Sequence, residues 1–375
     1  MTDQSQEATA EVADALNARL SSRRDYLRHV KDLVAERPLV VFYGCGAILD
    51  SIVETWNEYV QWPIDLCCDS DSAKWGQTFA GGVKCISPTE LAEIKDRCTI
   101  FVTVGQFRPV LDQLVAAGFP SVNLIFKYDL VASEFLTEQD SRQVASKLSH
   151  VRGLLADEKS REVFDAIVTR VVGDGADPNP MEAVFECDQY FPADIIHLTD
   201  DESFVDVGAF DGDTVRDFLE RTGGAFRRIT CFEIDPVNHA RLVENVQNGD
   251  GRDRITIYDL GLWDSDQVIE FQPGKSQSTV GKGSESARVV PLDDIMGDQR
   301  VTFIKMDIEG AELRALAGAR RVIEDQKPTL AVCVYHHIRD LWEIPLAMHE
   351  LVPEHKLYLR HHTNLEYETV CYAVS

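Results

Sequence analysis

Short apolar runs and amphipathic stretches alternate along most of the chain, and the spacing of the apolar positions predicts a strand or a helix for each. Pro38–Tyr43 and Thr99–Thr103 have the nearly continuous apolar character of strands that are buried on both faces. Between them, Ala47–Tyr59 carries apolar residues at helical spacing. Strands that alternate with helices pair in parallel and carry the helices on both faces, so this pattern predicts an α/β fold.

The alternation falls into two blocks, separated by helical sequence and a run of turn-forming residues at 173–180. The first block predicts strands at 38–43, 64–68, 99–103 and 122–126 and helices at 47–59, 91–94 and 109–117. The second predicts strands at 203–207, 228–233, 254–259, 301–307, 328–334, 355–360 and 368–374, helices at 213–221, 236–247, 310–319 and 338–350, and a hairpin near 267–290. We therefore expect two Rossmann-like, doubly wound sheets, the C-terminal one with seven strands, joined by a helical linker.

The predicted parts of the chain are an N-terminal helical extension, a small Rossmann-like domain, the linker and a larger domain, at 1–36, 37–130, 131–180 and 181–375. The extension would serve for packing or for contact within a homo-oligomer. A polar, glycine-rich stretch at 273–286 predicts a mobile loop.

Length and charge exclude several classes of protein. With 375 residues the chain is long enough for two or three domains, each with its own core. Its 63 acidic and 37 basic residues give a formal net charge of −26, which disfavours binding to nucleic acid or to an anionic membrane surface. No stretch has the ~20 apolar residues of a membrane span, and the first residues lack the apolar segment of a signal peptide. The nine cysteines include no Cys-x-x-Cys pair and lie mostly in apolar runs, which indicates buried free thiols. Free thiols are typical of a reducing compartment, so we expect a cytoplasmic protein.

The strand at 203–207 leads into a turn with two glycines, Gly208 and Gly212, which allow a ligand to approach the backbone closely. Glu233 closes the next strand, where nucleotide-binding sheets carry the carboxylate that binds ribose hydroxyls. A pyrophosphate would be repelled by the aspartates around this turn, Asp206, Asp211 and Asp213. A cationic adenosine without phosphate fits better, and S-adenosyl-L-methionine is such a molecule.

Further polar residues follow the carboxyl ends of later strands, where open sheets bind ligands. Asp259 could accept a hydrogen bond from an adenine amino group or simply cap a turn, and Leu260 could pack on the adenine face. Alternation along the strand places Lys305, Asp307 and Glu309 on one side. Such clustering indicates a functional site or, alternatively, a salt bridge that stabilises the turn.

Two histidines follow the strand at 328–334. His336 and His337 are adjacent, so they point to opposite sides of an extended chain and cannot easily bind one metal together. One of them could take a proton from a substrate hydroxyl, or form a hydrogen bond at the strand end. Asp307 and Glu309 alone give weak support for a divalent metal, and no metal site is predicted.

The first block carries glycines and acidic residues at its turns: Gly44-Cys-Gly46, Asp69-Ser-Asp71, Gly76 and Gly82-Val83. On these residues it resembles the small Rossmann-like domain found before sugar acyltransferase repeats and in other enzymes of nucleotide-sugar and glycan assembly. The resemblance implies a bound nucleotide or nucleotide-sugar, or else a scaffold or oligomerisation domain without a ligand. Leu49 stands where a third glycine would complete the dinucleotide fingerprint, which disfavours a nicotinamide cofactor.

Residues 157–375 resemble the FkbM family of S-adenosylmethionine-dependent methyltransferases, and the seven-strand pattern matches the class I methyltransferase sheet. The resemblance rests on four motifs in order, Asp206-Val-Gly-Ala-Phe-Asp-Gly-Asp-Thr214, Glu233-Ile-Asp-Pro236, Lys305-Met-Asp-Ile-Glu-Gly-Ala-Glu312 and Tyr335-His336. It implies that the turn cradles the methionine part of the cofactor, that Glu233 binds the ribose diol and that Asp307 lies near the site of methyl transfer. Phe210 departs from the small polar residue of many relatives.

Known members of that family largely methylate hydroxyls of sugars and polyketide-like products, so the expected acceptor is a small molecule or a glycan. The predicted cofactor-binding residues are Asp206, Gly208, Ala209, Phe210, Gly212, Asp213, Thr214, Glu233, Ile234, Asp259, Leu260 and Asp307. The predicted reaction is a direct displacement in which an acceptor oxygen attacks the sulfonium methyl group, while His336, Asp307 or a neutral Lys305 accepts the proton. Two other hypotheses are a nicotinamide-dependent sugar oxidoreductase that uses the first domain, and a non-catalytic nucleotide-sugar-binding protein.

Overall fold

The computed structural model describes residues 27–125, 141–172, 180–247, 251–272, 279–280 and 285–375. The chain forms two compact units. The first comprises residues 1–146, 169–178 and 364–366, and the second comprises 147–168, 179–363 and 367–375. Most of the predicted N-terminal extension, the turn-rich run at 173–179 and most of the predicted mobile loop lie outside the described residues. The limits predicted for the four parts of the chain stay a prediction.

The first unit contains a six-stranded sheet, built from β1 (Leu39–Tyr43), β2 (Leu66–Cys68), β3 (Thr78–Phe79), β4 (Val83–Ile86), β5 (Cys98–Val102) and β6 (Val122–Leu124). Its spatial order is β3-β4-β2-β1-β5-β6, and only β3 runs antiparallel to its neighbour. Its helices are α1 (27–36), α2 (Ala47–Tyr59), α3 (Pro88–Glu93) and α4 (Phe107–Ala116). The predicted α/β order of this unit is therefore confirmed.

Two helix starts in the first unit differ from prediction, and local chemistry explains both. Helix α3 begins at Pro88 instead of residue 91, because Ser87 and Glu90 form a capping box around its first turn. Helix α4 begins at Phe107, two residues before the predicted start at Pro109. A proline is tolerated there because the first turn of a helix leaves its N–H groups without intrahelical partners.

The core of the first unit is centred on three aromatic rings, from Phe42, Trp56 and Phe101. Trp56 packs edge-on against Phe42 and Phe101, with ring centroids 5.1 and 4.9 Å away. All three side chains are fully buried, so this cluster joins α2 to the centre of the sheet.

The second unit contains a seven-stranded sheet, built from β7 (Ser203–Val207), β8 (Arg228–Phe232), β9 (Ile255–Tyr258), β14 (Phe303–Met306), β15 (Thr329–Cys333), β16 (Lys356–His361) and β17 (Thr369–Val374). The order is β16-β17-β15-β14-β7-β8-β9, and β17 is antiparallel to both neighbours. Its helices include α7 (Asp213–Arg221), α8 (Pro236–Gln247), α9 (Leu292–Met296), α10 (Glu312–Gly318), α11 (Arg320–Gln326) and α12 (Asp340–Leu351). The seven-stranded sheet predicted from the sequence is confirmed.

A second, four-stranded sheet in this unit has the order β10-β13-β11-β12, with strands at Gly261–Leu262, Glu285–Val290, Gln267–Gln272 and Thr279–Val280. Strands β11 and β13 pair antiparallel, as the predicted hairpin requires. None of the helices in the described part of the chain is long and apolar enough to cross a membrane.

Helices α5 (Ser141–Leu154) and α6 (Glu158–Val172) occupy the predicted linker. The second unit holds residues 147–168 of this pair partly through Arg360, a fully buried arginine of β16. Its guanidinium donates to the carboxylates of Asp157 and Asp194 at 2.7 and 2.8 Å. Burial opposes ionisation of Asp157, yet the Arg360 contact lowers the pKa of that carboxyl to about 2. The start of α6 is therefore fixed to the sheet.

Candidate active site

A cleft in the second unit opens where the winding of the sheet reverses. Strands β7 and β14 are neighbours, but the chain continues from β7 toward one edge and from β14 toward the other. Such a reversal leaves a crevice beyond the carboxyl ends of the strands. The predicted site residues that line the cleft are Gly208, Phe210, Asp213, Thr214, Glu233, Ile234, Leu260, Lys305 and Asp307.

The turn after β7 is pulled tightly against the neighbouring strands. The N–H groups of Gly208 and Ala209 both donate to the carbonyl of Phe232, each at 3.0 Å. Gly208 has φ +76°, and a Cβ added to it would lie 1.9 Å from the carbonyl oxygen of Asp307. Only glycine permits this approach, which fixes the floor of the cleft.

Glu233 is buried at the end of β8 and joins the turn to the start of the next helix. Its two carboxylate oxygens accept from the N–H groups of Phe210 and Asp235, at 2.9 and 2.8 Å. Phe210 adopts φ +47°, a conformation that is unusual for a residue with a side chain. Burial raises the pKa of Glu233 to about 7, although both backbone donors oppose the shift. The carboxylate forms no ion pair within the described residues; Lys305 opposes the rise of its pKa but does not contact it.

Behind the turn, Asp206 and Lys305 form a buried ion pair across β7 and β14. They are direct partners in the sheet register, and Lys305 Nζ lies 3.1 Å from Asp206 Oδ1. Lys305 also donates to the carbonyl of Gly208 at 2.6 Å and lies over the Tyr190 ring, 5.1 Å from its centroid. Burial opposes its charge, but Asp206 and Asp307 raise the pKa of Lys305, so it stays an ammonium. The salt bridge considered from the sequence is present and holds the turn.

Asp307 follows β14 and is held by three side chains. Tyr190 donates to Oδ2 at 2.7 Å, Tyr335 donates to Oδ1 at 3.1 Å, and His336 Nε2 lies 3.3 Å from Oδ1. Burial opposes ionisation, but His336, Lys305 and Tyr190 lower the pKa of Asp307. The carboxylate is therefore ionised and rigidly oriented where it lines the cleft.

His336 sits behind Asp307 in a shell of carboxylates and does not itself line the cleft. Its Nε2 lies 3.4 Å from a carboxylate oxygen of Glu309, and its Nδ1 lies 3.1 Å from Glu312. Burial opposes protonation, yet Glu312 and Asp307 raise the pKa of the imidazole well above its ordinary value. The ring is thus an imidazolium that orients the carboxylates around it.

Other predicted residues lie away from the cleft lining. Asp206, Ala209 and Gly212 are buried beneath it, and Asp259 is exposed to solvent after the edge strand β9. Leu260, next to Asp259, does line the cleft. The adenine role assigned to Asp259 stays a prediction, since Asp259 is not among the residues that line the cleft.

The sequence did not indicate Glu368, a partly buried carboxyl in the cleft wall. It immediately precedes β17 and adopts φ +65°. Its carboxylate accepts a hydrogen bond from Gln189, while burial and the nearby Asp307 raise its pKa to about 7. Because β17 is antiparallel, its amino end lies beside the carboxyl ends of the other strands. The charged residue at the start of a final apolar run was the available signal.

Residues 206–365 match a family model described as the methyltransferase FkbM domain. The chain is also similar to the crystal structure of methyltransferase FkbM from Methylobacillus flagellatus KT, with 23% identity and a TM-score of 0.73, over 96% of this chain and 100% of that chain. A weaker similarity joins it to Aeropyrum pernix fibrillarin in complex with natively bound S-adenosyl-L-methionine, with 13% identity and a TM-score of 0.32, over 48% of this chain and 70% of that chain. None of the curated proteins matches the chain.

Proposed function

Since residues 206–365 of this chain are a methyltransferase FkbM domain, we propose that the protein methylates a hydroxyl group of a small-molecule or glycan acceptor, with S-adenosyl-L-methionine as donor. The observation that carries this proposal is the junction of Glu233 with the glycine turn. A buried carboxylate without an ion pair lines a cleft at the switch point of the sheet, next to a turn that only glycine can form.

These features fit the cofactor. The turn at 208–212 would hold its methionine part, Glu233 would hold the ribose hydroxyls and Leu260 would contact the adenine. When bound, S-adenosylmethionine supplies an electrophilic methyl group on a positively charged sulfur. The cleft suits that charge, because Asp307, Glu309 and Glu368 line it. The nearby cations are already paired, Lys305 with Asp206 and His336 with its carboxylates.

Of the three proton acceptors considered from the sequence, Lys305 and His336 already carry a proton at neutral pH. Asp307 is ionised, but its lowered pKa makes it a weak base. Glu368 lines the same cleft with a pKa of about 7, which suits a general base near neutrality. We therefore assign proton acceptance from the acceptor hydroxyl to Glu368, and orientation of that hydroxyl to Asp307.

The direct test is transfer of a labelled methyl group. The purified full-length protein is incubated with methyl-labelled S-adenosylmethionine and a panel of free sugars, nucleotide-sugars and hydroxylated small molecules, and products are separated by mass spectrometry. The proposal expects label on a hydroxyl oxygen of at least one acceptor, and label formed about 10²- to 10⁴-fold more slowly with Glu368→Gln. Label on nitrogen or carbon would contradict the hydroxyl assignment. A protein that binds no S-adenosylhomocysteine in calorimetry would contradict the donor.

The oxidoreductase and nucleotide-sugar hypotheses both depend on the first unit. There the acidic residue after β2, Asp69, is bound by Lys74 at 2.8 Å and by the N–H of Cys45 at 2.9 Å. Binding of a nucleotide-sugar to this unit stays a prediction. A fluorescence titration with NADH tests the nicotinamide hypothesis, and the methyltransferase proposal expects no binding.

A further inference from the structure

The first unit contains a cluster of three buried cysteines that the proposed methyl transfer does not use. Cys67 and Cys85 are direct partners on the parallel strands β2 and β4, and Cys45 lies in the turn after β1. The three sulfur atoms all lie within 4.8 Å of one another, with Cys45 and Cys85 3.4 Å apart. All three are free thiols and are at most 3% exposed.

These separations are those of ligands to a single ion. A cysteine sulfur lies about 2.3 Å from a bound metal, so three sulfurs around one ion are separated by roughly 4 Å. The residues come from three different segments, and the fold brings their side chains together on one face of the sheet. Only small sulfur movements are needed to enclose an ion.

The donor set and its surroundings select the kind of ion. Thiolate ligands favour soft cations such as Cu(I) or Zn(II). Zn(II) takes four ligands in a closed site, but the cysteine cluster offers three. The nearby carboxylate of Asp69 is already engaged by Lys74 and the backbone. A three-coordinate soft cation fits this arrangement better.

The hydrogen bond with Cys67 and burial raise the pKa of Cys45, and burial raises the pKa of Cys85, so the ion itself must displace the thiol protons. Cys45 directly precedes the amino end of α2, whose 13 residues direct the positive end of the helix toward it. The Lys74 ammonium lies on the same side, held by Asp69. The next residue, Gly46, is exposed, so the cluster lies one residue from the surface at this turn.

We propose that Cys45, Cys67 and Cys85 form a three-thiolate site for one Cu(I) ion in the first unit. Binding releases the thiol protons and leaves the copper oxidation state unchanged. The site is independent of the cleft in the second unit, so loss of methyltransferase activity is not its readout.

The test is anaerobic titration of the reduced full-length protein with Cu(I) in the presence of the chelator bicinchoninate. The wild-type protein is expected to retain one copper per chain against the chelator, and Cys67→Ala is expected to lose it. Cys68→Ala is the matched control, because Cys68 is the next residue on the same strand, equally buried and directed to the opposite face. It is expected to retain one copper.

X-ray absorption of the copper-loaded wild-type protein gives a readout that does not depend on any variant. The proposal expects three sulfur neighbours at a single distance and no nitrogen or oxygen neighbour. Retention of equal copper by wild type and Cys67→Ala, absence of retained copper in the folded wild type, or a mixed ligand shell would each overturn it.

Discussion

The two units have the same backbone arrangement at the point where the strand order of each sheet reverses, but the side chains at that point differ. In the first unit, the N–H of Thr103, which follows β5, donates to the carbonyl of Tyr43 at the end of β1. In the second unit, the N–H of Asp307, which follows β14, donates to the carbonyl of Val207 at the end of β7. A Cβ on Gly44 would lie 2.5 Å from Thr103 O, just as one on Gly208 would collide with Asp307 O. The backbone approach is common to both, so it does not by itself identify an active site.

One residue earlier in these strands, the residues that face each other differ in chemical type between the two units. Phe42 faces Phe101 in the first unit, with ring centroids 5.6 Å apart, whereas Asp206 faces Lys305 in the second. The aromatic pair shows that two apolar side chains can occupy these facing positions. A buried ion pair is more costly to desolvate, so its presence in the second unit indicates a role in the site.

The acidic residues after the second strands also differ in their charge balance. Asp69 and Glu233 each accept from an N–H of the glycine turn, at 2.9 Å in both units. Burial opposes ionisation of Asp69, but Lys74 and backbone donors lower its pKa. Glu233 forms no ion pair among the described residues, and burial raises its pKa to about 7 although Lys305 opposes the shift. This difference supports our proposal that the cofactor binds in the second unit.

The largest expected effect concerns Glu368, which is not part of the backbone arrangement that the two units share. Glu368→Gln is expected to lower kcat about 10²- to 10⁴-fold, because the neutral amide cannot accept a proton. In the wild type, kcat is expected to rise with pH through about 7 as the carboxyl ionises, and then to level off. Steady-state kinetics across pH checks both. A variant with an unchanged pH profile would contradict the assignment.

Next in size is the ion pair. Lys305→Met is expected to destabilise the protein by about 3–5 kcal/mol, because it leaves Asp206 buried without a partner. The double variant Asp206→Leu/Lys305→Met restores apolar packing like that of the first unit, and its stability is expected to return to within about 1 kcal/mol of wild type. Urea denaturation measures both. Equal loss in the single and double variants would mean that the pair is required for folding.

Substitutions of Gly44 and Gly208 distinguish the backbone arrangement common to both units from the cofactor site proposed in the second unit. Gly208→Ala and Gly44→Ala are each expected to cost about 3 kcal/mol, because both force a left-handed conformation against a backbone oxygen. Only Gly208→Ala is expected to reduce affinity for S-adenosylhomocysteine, measured by calorimetry where both variants are folded. Equal loss of affinity in Gly44→Ala would contradict assignment of the cofactor to the second unit.

The smallest effect is the pH dependence of cofactor affinity. As pH falls from 8 to 6, Glu233 gains a proton, and loss of its charge is expected to weaken S-adenosylhomocysteine binding about tenfold. The ligand-free protein is expected to gain stability over the same range, because a raised folded-state pKa favours the protonated form. Calorimetry on Glu233→Gln should show a smaller change of affinity over this pH range than the wild type shows. Asp69→Asn is the control, and its profile should follow wild type.

Much of this arrangement could be predicted from the sequence, because apolar runs and glycine turns report local structure. The succession of strands and helices along the chain, the turn after β7 and Glu233 at the end of β8 followed from residues that are near one another in the chain. The capping box at Ser87 was also local and could have placed the start of α3.

The remaining features depend on strand direction and on neighbours distant in sequence. The antiparallel course of β17 brings Glu368 to the cleft, and no periodicity specifies that direction. The charge of His336 follows from Glu312 and Asp307, which surround it only in the folded chain. Sequence motifs identified Glu233, Asp307 and His336 but not Glu368, and the protonation of all four required the structure.

The most direct test is a crystal structure of the full-length protein with S-adenosylhomocysteine. We expect the ligand in the cleft of the second unit, with its ribose hydroxyls within hydrogen-bonding distance of the Glu233 carboxylate and its amino-acid end at the turn of residues 208–212. A ligand bound at Asp69 in the first unit, or a cleft left empty at saturating ligand, would contradict the account.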